Sequence, residues 1–156
     1  MRKTGFLLIV LTGFALAAGV PPGFVQWTAS DVKTVEQHLI QSLGSQQFDS
    51  QVLKDFGTHS VQMVYRTGSG EAEIHENLTD VMMVRSGEAT LVVGGKAVGA
   101  RSTAPGEIRG SSIEGGSSRK VAAGDIINIP ANTPHQTLLA PGRQVTMLVL
   151  KVKARP

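Results

Sequence analysis

The sequence contains no cysteine and few aromatic residues, and both shortages narrow what the protein can be. Without cysteine there is no disulfide framework, no thiolate metal ligand and no thiol nucleophile. Aromatic residues make up 4% of the chain, and no dense cluster of lysine and arginine accompanies them. Base stacking and phosphate tracking both need such residues, so the sequence predicts no nucleic-acid partner.

A hydrophobic run long enough to span a membrane is also missing. Two basic residues precede an apolar stretch over residues 5–18, which is shorter than the ~20 residues of a membrane-spanning helix. Ala15 and Ala17 supply the small residues that signal peptidase requires before its cleavage site. The pattern predicts a signal peptide over residues 1–18 and a periplasmic or secreted protein with no stable membrane anchor after cleavage. An uncleaved anchor is the alternative.

Length and composition indicate one domain. The 156 residues are 41% apolar, enough to fill a single core, and the 18 glycines favour a turn-rich β fold over a helical bundle. Lysine and arginine number 15 against 12 acidic residues. Removing the two basic residues of the predicted signal peptide leaves 13 against 12, so the mature chain is nearly neutral.

Residues 19–57 are predicted to form an N-terminal arm and a helix. The proline-containing segment 20–27 suits an extended arm that reaches a second copy, so we expect a homodimer. A helix is predicted from Asp31, with Thr28 or Ser30 as its cap. Its apolar residues recur at the spacing of one buried stripe: Val32, Val35, Leu39 and Leu43.

From residue 58 to the C-terminus at residue 156 the pattern changes to short apolar runs separated by turn signals. The predicted strands cover residues 61–65, 71–75, 80–85, 89–93, 119–122, 125–129, 135–139 and 145–152. Many short strands with frequent turns are typical of a sandwich or a closed barrel. The Gly-, Ser- and Thr-rich segment 95–118 is predicted to be a long loop, with Glu107 and Arg109 as solvated charges; contact of these two residues with a ligand is the alternative.

Candidate metal ligands fall in two clusters. Glu73 and His75 are two residues apart, so on a strand their side chains leave the same face. Asp80 opens the next apolar run after a polar tetrad, and a tight bend would bring its carboxylate to the same point. His135 starts a strand after a turn rich in proline and asparagine. The hypothesis is that these four residues, in two clusters, bind one metal ion.

These two clusters carry a family resemblance. Residues 73–87 read ExHx4Dx6G, and residues 124–139 read Gx5PxNx2Hx3L. They resemble the two motifs of the cupin superfamily, G(x)5HxH(x)3-4E(x)6G and G(x)5PxG(x)2H(x)3N, with the spacing kept throughout. Glu73 stands where the first histidine is usual and Asp80 where glutamate is usual, while Asn132 and Leu139 replace the turn glycine and the terminal asparagine.

The resemblance implies an all-β fold, a small antiparallel β-barrel of the double-stranded β-helix or jelly-roll type, preceded here by one helix. It also implies one divalent metal ion held by Glu73, His75, Asp80 and His135. Two carboxylates and two imidazoles suit Mn, Fe, Ni, Co or Zn.

The functional hypothesis is a secreted or periplasmic metal-binding cupin that acts on a small organic molecule. Resemblance to single-domain cupins leaves oxygenase, isomerase, lyase and decarboxylase chemistry open, because one fold hosts many reactions. Two alternatives stand beside it: a non-catalytic cupin that binds a small ligand, and a metal-free structural barrel.

Overall fold

One helix precedes twelve strands in the computed structural model, which describes residues 19–154. The signal peptide predicted over residues 1–18 lies outside the described residues. The helix is α1 (Ala29–Ser42), and the strands are β1 (Phe48–Asp55), β2 (His59–Arg66), β3 (Ala72–His75), β4 (Leu78–Val93), β5 (Lys96–Val98), β6 (Arg101–Ala104), β7 (Glu107–Gly110), β8 (Ser112–Glu114), β9 (Ser117–Ala122), β10 (Ile126–Ile129), β11 (His135–Leu138) and β12 (Val145–Lys153). No helix in residues 19–154 is long and apolar enough to cross a membrane.

The helix is fixed at its start by a capping box and along one face by apolar packing. The Thr28 hydroxyl accepts a hydrogen bond from the Asp31 amide, and the Asp31 carboxylate accepts one from the Thr28 amide. On the buried face, Leu39 is 1% exposed and packs with Met63 and Tyr65 of β2. The predicted apolar stripe therefore attaches the helix to the outer face of the sheet.

All strand pairs are antiparallel, and the main sheet runs in the order β1-β2-β12-β4-β11-β3-β7-β6. The sixteen-residue strand β4 joins its two halves. The first part of β4 pairs with β12 and β10, and the second part pairs with β11 and β9. The sheet curls around this strand, which confirms the predicted all-β antiparallel fold with one N-terminal helix.

The sequence predicts separate strands over residues 80–85 and 89–93, and the structure corrects this to one continuous strand, β4, with Gly87 inside it. Gly87 has φ of 77°, and the β12 partner strand shifts register at Thr146. A Cβ atom at position 87 would lie 1.9 Å from the Gln144 carbonyl oxygen. Glycine is needed here because the two strand backbones approach too closely for a side chain.

The segment 95–118 is not the long loop that the sequence predicts. It contains β5, β6, β7 and β8; β5 pairs with β8, and β7 pairs with β3. These strands are three or four residues long and contain few apolar residues, so they carry no apolar alternation that the sequence could reveal. The strand β1 is likewise additional, since the sequence assigns its segment to an arm and a helix.

Candidate metal centre

The structure brings all four predicted ligands together inside the curled sheet. His75 Nε2 lies 3.5 Å from a Glu73 oxygen and 3.3 Å from an Asp80 oxygen, and His135 Nε2 lies 3.7 Å from the same Asp80 oxygen. Glu73, His75 and His135 form a group whose ligand atoms lie within 4.8 Å of one another. His75, Asp80 and His135 are each no more than 3% exposed.

The two histidines are tied together through the backbone. Glu73 of β3 pairs with His135 of β11. The turn ahead of β11 also contacts β3, because the Asn132 amide donates a 2.8 Å hydrogen bond to the His75 carbonyl. Asn132 has φ of 60°, a left-handed conformation that asparagine tolerates. Asparagine therefore replaces the usual motif glycine without loss of the turn that delivers His135.

Each imidazole is oriented by a hydrogen bond at Nδ1. His75 Nδ1 lies 2.9 and 2.8 Å from the two oxygens of Glu107, and His135 Nδ1 lies 3.0 Å from the Thr133 carbonyl oxygen. A carboxylate and a carbonyl can only accept, so both Nδ1 atoms carry hydrogen and both Nε2 atoms face the centre. Histidines that ligate metals are held in this way.

The residues present fit a metal ion. His135 Nε2 is the one buried side-chain polar atom without a hydrogen-bond partner among the described residues. Burial lowers the pKa of His135, so its ring is neutral. An unpartnered lone pair that faces two carboxylates costs free energy unless something else satisfies it, and a cation does so.

Sequence reasoning missed Lys151, which also enters this centre. It lies opposite Asp80 in the β12–β4 register, and its Nζ is 2.9 Å from both Asp80 oxygens and 2.8 Å from His75 Nε2. A signal for it exists in the sequence. Met147, Val149 and Lys151 alternate along β12, so they share the inward face of that strand.

Glu107 and Arg109 are not the solvated loop charges that the sequence predicts. In β7, Glu107 lies opposite His75 and Arg109 lies opposite Glu73. Arg109 contacts Glu107 at 3.0 Å and Glu73 at 3.8 Å, and Arg66 contacts the other Glu73 oxygen at 3.2 Å. Their sequence segment lacks the pattern of a strand, and so their approach to the centre was not predictable from spacing.

The carboxylates are held in their charged forms. Burial by itself would raise the pKa of Glu73, but a hydrogen bond with His75 and the charges of Arg109 and Arg66 lower it to about 2. Burial would likewise raise the pKa of Asp80, yet its contacts with His75 and Lys151 lower it. Both groups are therefore ready to bind a cation at neutral pH.

Two effects on His75 oppose each other. Burial lowers its pKa, and hydrogen bonds with Asp80 and Glu73 raise it to about 9, against the charge of Lys151. A second ring proton, on Nε2, would point at Lys151 Nζ only 2.8 Å away. The contact between Nε2 and Nζ can therefore hold only one hydrogen between the two nitrogens.

A cavity of about 570 Å³ opens onto the centre. Met82 and Thr137 are among its lining residues. Four acidic and three basic side chains also line it: Glu71, Glu73, Asp80, Glu107, Arg66, Arg109 and Lys151. These charges come from five strands and the β2–β3 connection that the curl brings together.

Solved structures with the same arrangement of strands are found for enzymes of several kinds. A DMSP lyase from Ruegeria pomeroyi is 19% identical, with a TM-score of 0.50 over 68% of this chain and 47% of the lyase. A mannose-6-phosphate isomerase-like protein from Ralstonia eutropha is 17% identical, with a TM-score of 0.51 over 71% of this chain and 89% of that protein. The chain has the cupin fold.

An oxalate oxidase in complex with glycolate is a further solved structure of similar fold. It is 19% identical, with a TM-score of 0.50 over 70% of this chain and 53% of the oxidase. This chain thus spans about half the length of the lyase and of the oxidase. No protein-family model matches the sequence, and no curated protein matches it. The likeness at these identities concerns the fold.

Proposed function

We propose that this cupin binds one divalent metal ion through Glu73, His75, Asp80 and His135 and acts with it on a small organic molecule in the adjoining cavity. The observation that carries the proposal is the buried, unpartnered Nε2 of His135, which faces the Asp80 carboxylate. Oriented imidazoles and charged carboxylates around one point make a donor set for Mn, Fe, Ni, Co or Zn.

Charge in the cavity favours a small ligand that carries a carboxylate or a similar anionic group. The four acidic and three basic side chains of the lining nearly cancel, so a divalent ion leaves the cavity with a net positive charge. An ion bound there would polarise an oxygen of the ligand as a Lewis acid. Arg66 and Arg109 lie at the same wall, and each has donors suited to a carboxylate.

The fold does not determine which reaction the protein would catalyse. A lyase, an isomerase-like protein and an oxidase share it, and one scaffold supports many chemistries. The oxidase structure holds glycolate, which supports a small organic ligand for this cupin as well. Turnover screening with metal restored separates an enzyme from a protein that only binds its ligand.

The metal site is tested by elemental analysis of purified protein. After dialysis against a mild chelator, the wild type should keep one equivalent, and His75→Ala and His135→Ala should each lose it. Glu73→Gln should weaken binding less, because an amide oxygen can still ligate. His38→Ala is the matched control, since His38 is an exposed histidine on α1, and none of the four proposed ligands lies on that helix. Full retention of metal by His75→Ala would reject the site.

One observation favours a second candidate, a metal-free structural barrel. The ammonium of Lys151 already neutralises Asp80 and fills the hydrogen-bonding capacity of His75 Nε2. In that case the wild type should bind no stoichiometric metal even after incubation with excess divalent ion.

Export is proposed from the sequence alone. Cleavage after the alanine-rich end of the apolar run would give a mature protein that begins near Ala18, in the periplasm or outside the cell. N-terminal sequencing of protein from the native host tests this, and a stable product beginning at Met1 would reject it.

A homodimer is proposed from the N-terminal arm. Val20, Phe24 and Val25 are 71%, 60% and 38% exposed, so the arm carries apolar side chains that a second copy can cover. Light scattering at micromolar concentration should give twice the monomer mass. A monomer mass would count against an arm that packs on a second copy.

A further inference from the structure

We propose that the Lys151 ammonium and a divalent metal ion exclude each other at Asp80 and His75, so that Lys151 is a built-in competitor that weakens metal binding. This inference rests on the metal site proposed above and adds a residue that acts on that site's affinity. The observation behind it is the position of Nζ, 2.8 to 2.9 Å from three atoms of two proposed ligands.

The exclusion follows first from the chemistry of His75. Metal binding requires the neutral ring, whose one lone pair lies on Nε2 because Nδ1 carries the hydrogen in its contact with Glu107. That lone pair either accepts a hydrogen bond from Lys151 or binds a metal ion. Both cannot occur at once, so metal entry must break the 2.8 Å contact between Nε2 and Nζ.

Charge at the Asp80 carboxylate also makes the metal ion and the Lys151 ammonium exclude each other. A zinc-like ion would bind an Asp80 oxygen at about 2.0 to 2.2 Å, and Nζ now lies 2.9 Å from both oxygens of that carboxylate. The ion and the ammonium would then be within a few ångströms of each other in a site where Asp80 is 2% exposed. Repulsion between like charges is weakly screened there.

Lys151 has room to leave. Its side chain is 19% exposed and lines the cavity, whereas its partner Asp80 is closed off from solvent. A flexible four-carbon stem lets the ammonium turn into the cavity while its backbone stays in β12. Without metal, the ammonium keeps a buried carboxylate neutralised; with metal, the ion takes over that task.

The direct test compares Lys151→Met with the wild type in full-chain protein. Methionine keeps much of the length and packing of the side chain but removes the charge and the donor. Lys153→Met is the matched control, because Lys153 is an exposed lysine on the same strand. Zn²⁺ affinity is measured at one pH by competition with a fluorescent chelator, with circular dichroism as the check on folding.

Lys151→Met should bind Zn²⁺ about tenfold to a hundredfold more tightly than the wild type, as expected for removal of one to two charge-assisted contacts. Lys153→Met should leave the affinity unchanged. Equal or weaker binding by Lys151→Met, with one zinc bound by the wild type, would overturn the competition and leave the proposed metal site standing.

Other outcomes separate the two proposals. Binding of zinc by Lys151→Met but not by the wild type would support exclusion by Lys151 and overturn the proposed metal-dependent function. Binding by neither protein would overturn both. If Lys151→Met does not fold, Lys151→Gln serves in its place, because its amide still donates to Asp80 without a charge.

A second measurement needs no variant. Brief acetylation of the wild type, followed by peptide mapping, reports how accessible each lysine amine is. Addition of Zn²⁺ should raise the labelling of Lys151, since the displaced amine turns into the cavity, and should leave Lys153 unchanged as the internal standard. Unchanged or reduced labelling of Lys151 with zinc bound would overturn the inference.

Discussion

Replacement of Glu107 by glutamine removes the charge that orients His75. Both Glu107 oxygens lie within 2.9 Å of His75 Nδ1, and the Glu107 side chain is 25% exposed, so the change leaves the core intact. Loss of such an outer partner typically lowers metal affinity about 10- to 100-fold, or about 1.4 to 2.8 kcal/mol. We expect a value near tenfold, because the glutamine oxygen still accepts the Nδ1 hydrogen but without a negative charge.

The assay is chelator competition for Zn²⁺ at fixed pH, with Glu114→Gln as the matched control. Glu114 is an exposed glutamate on the neighbouring strand β8. If Glu107 positions His75, the substitution should also change which nitrogen of the His75 ring carries hydrogen. Nitrogen NMR should show hydrogen on Nδ1 in the wild type and a mixture of tautomers in Glu107→Gln, while His135 stays unchanged because its partner is the Thr133 carbonyl.

A Glu107→Gln protein whose zinc affinity lies within twofold of the wild type would refute this reasoning. So would a loss of affinity equal to that of Glu114→Gln, since the effect would then be one of overall charge. Rescue of the affinity by Glu107→Asp, which keeps the charge, would further indicate orientation of the imidazole.

Three further predictions concern stability without metal. Gly87→Ala should cost at least about 2 kcal/mol in urea unfolding, from strain and a backbone clash, whereas Gly94→Ala, also at positive φ but in open space, should cost about 1 kcal/mol. The pKa of Glu73 is lowered from 4.5 to about 2, so its contribution, up to about 3 kcal/mol, is present above pH 4.5 and lost as pH falls towards 2. Glu73→Gln should therefore show a flatter unfolding profile between pH 5 and 2.5, and an unchanged profile would contradict the ion pairing. Leu39→Ala should lower the free energy of unfolding by about 2 to 5 kcal/mol, against little change for the half-exposed Ile40→Ala, as thermal denaturation can show.

That the proposed ligands lie close together was predictable, because each position depends on local geometry. Side-chain alternation places Glu73 and His75 on one face of β3. Asp80 and His135 were predicted from the spacing of two motifs. In the structure Asp80 contacts His75, and His135 contacts Asp80. Strand-turn-strand spacing of this kind survives substitution of individual ligands, because the backbone path does not depend on which donor is present.

The outer partners were not predictable in the same way. Glu107 meets His75 only because β7 pairs with β3, more than thirty residues earlier in the chain. The segment around β7 has few apolar residues, so neither its strands nor their register leaves a pattern in the sequence. The inward direction of the Lys151 side chain could have been predicted, since apolar residues alternate with it along the same strand.

Glu73, at the first position of the motif, and Lys151 belong to one electrostatic arrangement. Glutamate in place of a histidine gives the centre a second carboxylate beside the buried Asp80. Two carboxylates near one point repel each other unless cations lie between or beside them. Arg66 and Arg109 supply positive charge on the side of Glu73, and Lys151 supplies it on the side of Asp80. A donor set with more negative charge attracts a divalent ion more strongly, and the lysine opposes that attraction, so in the proposed metal site the affinity would be set by the balance between these charges.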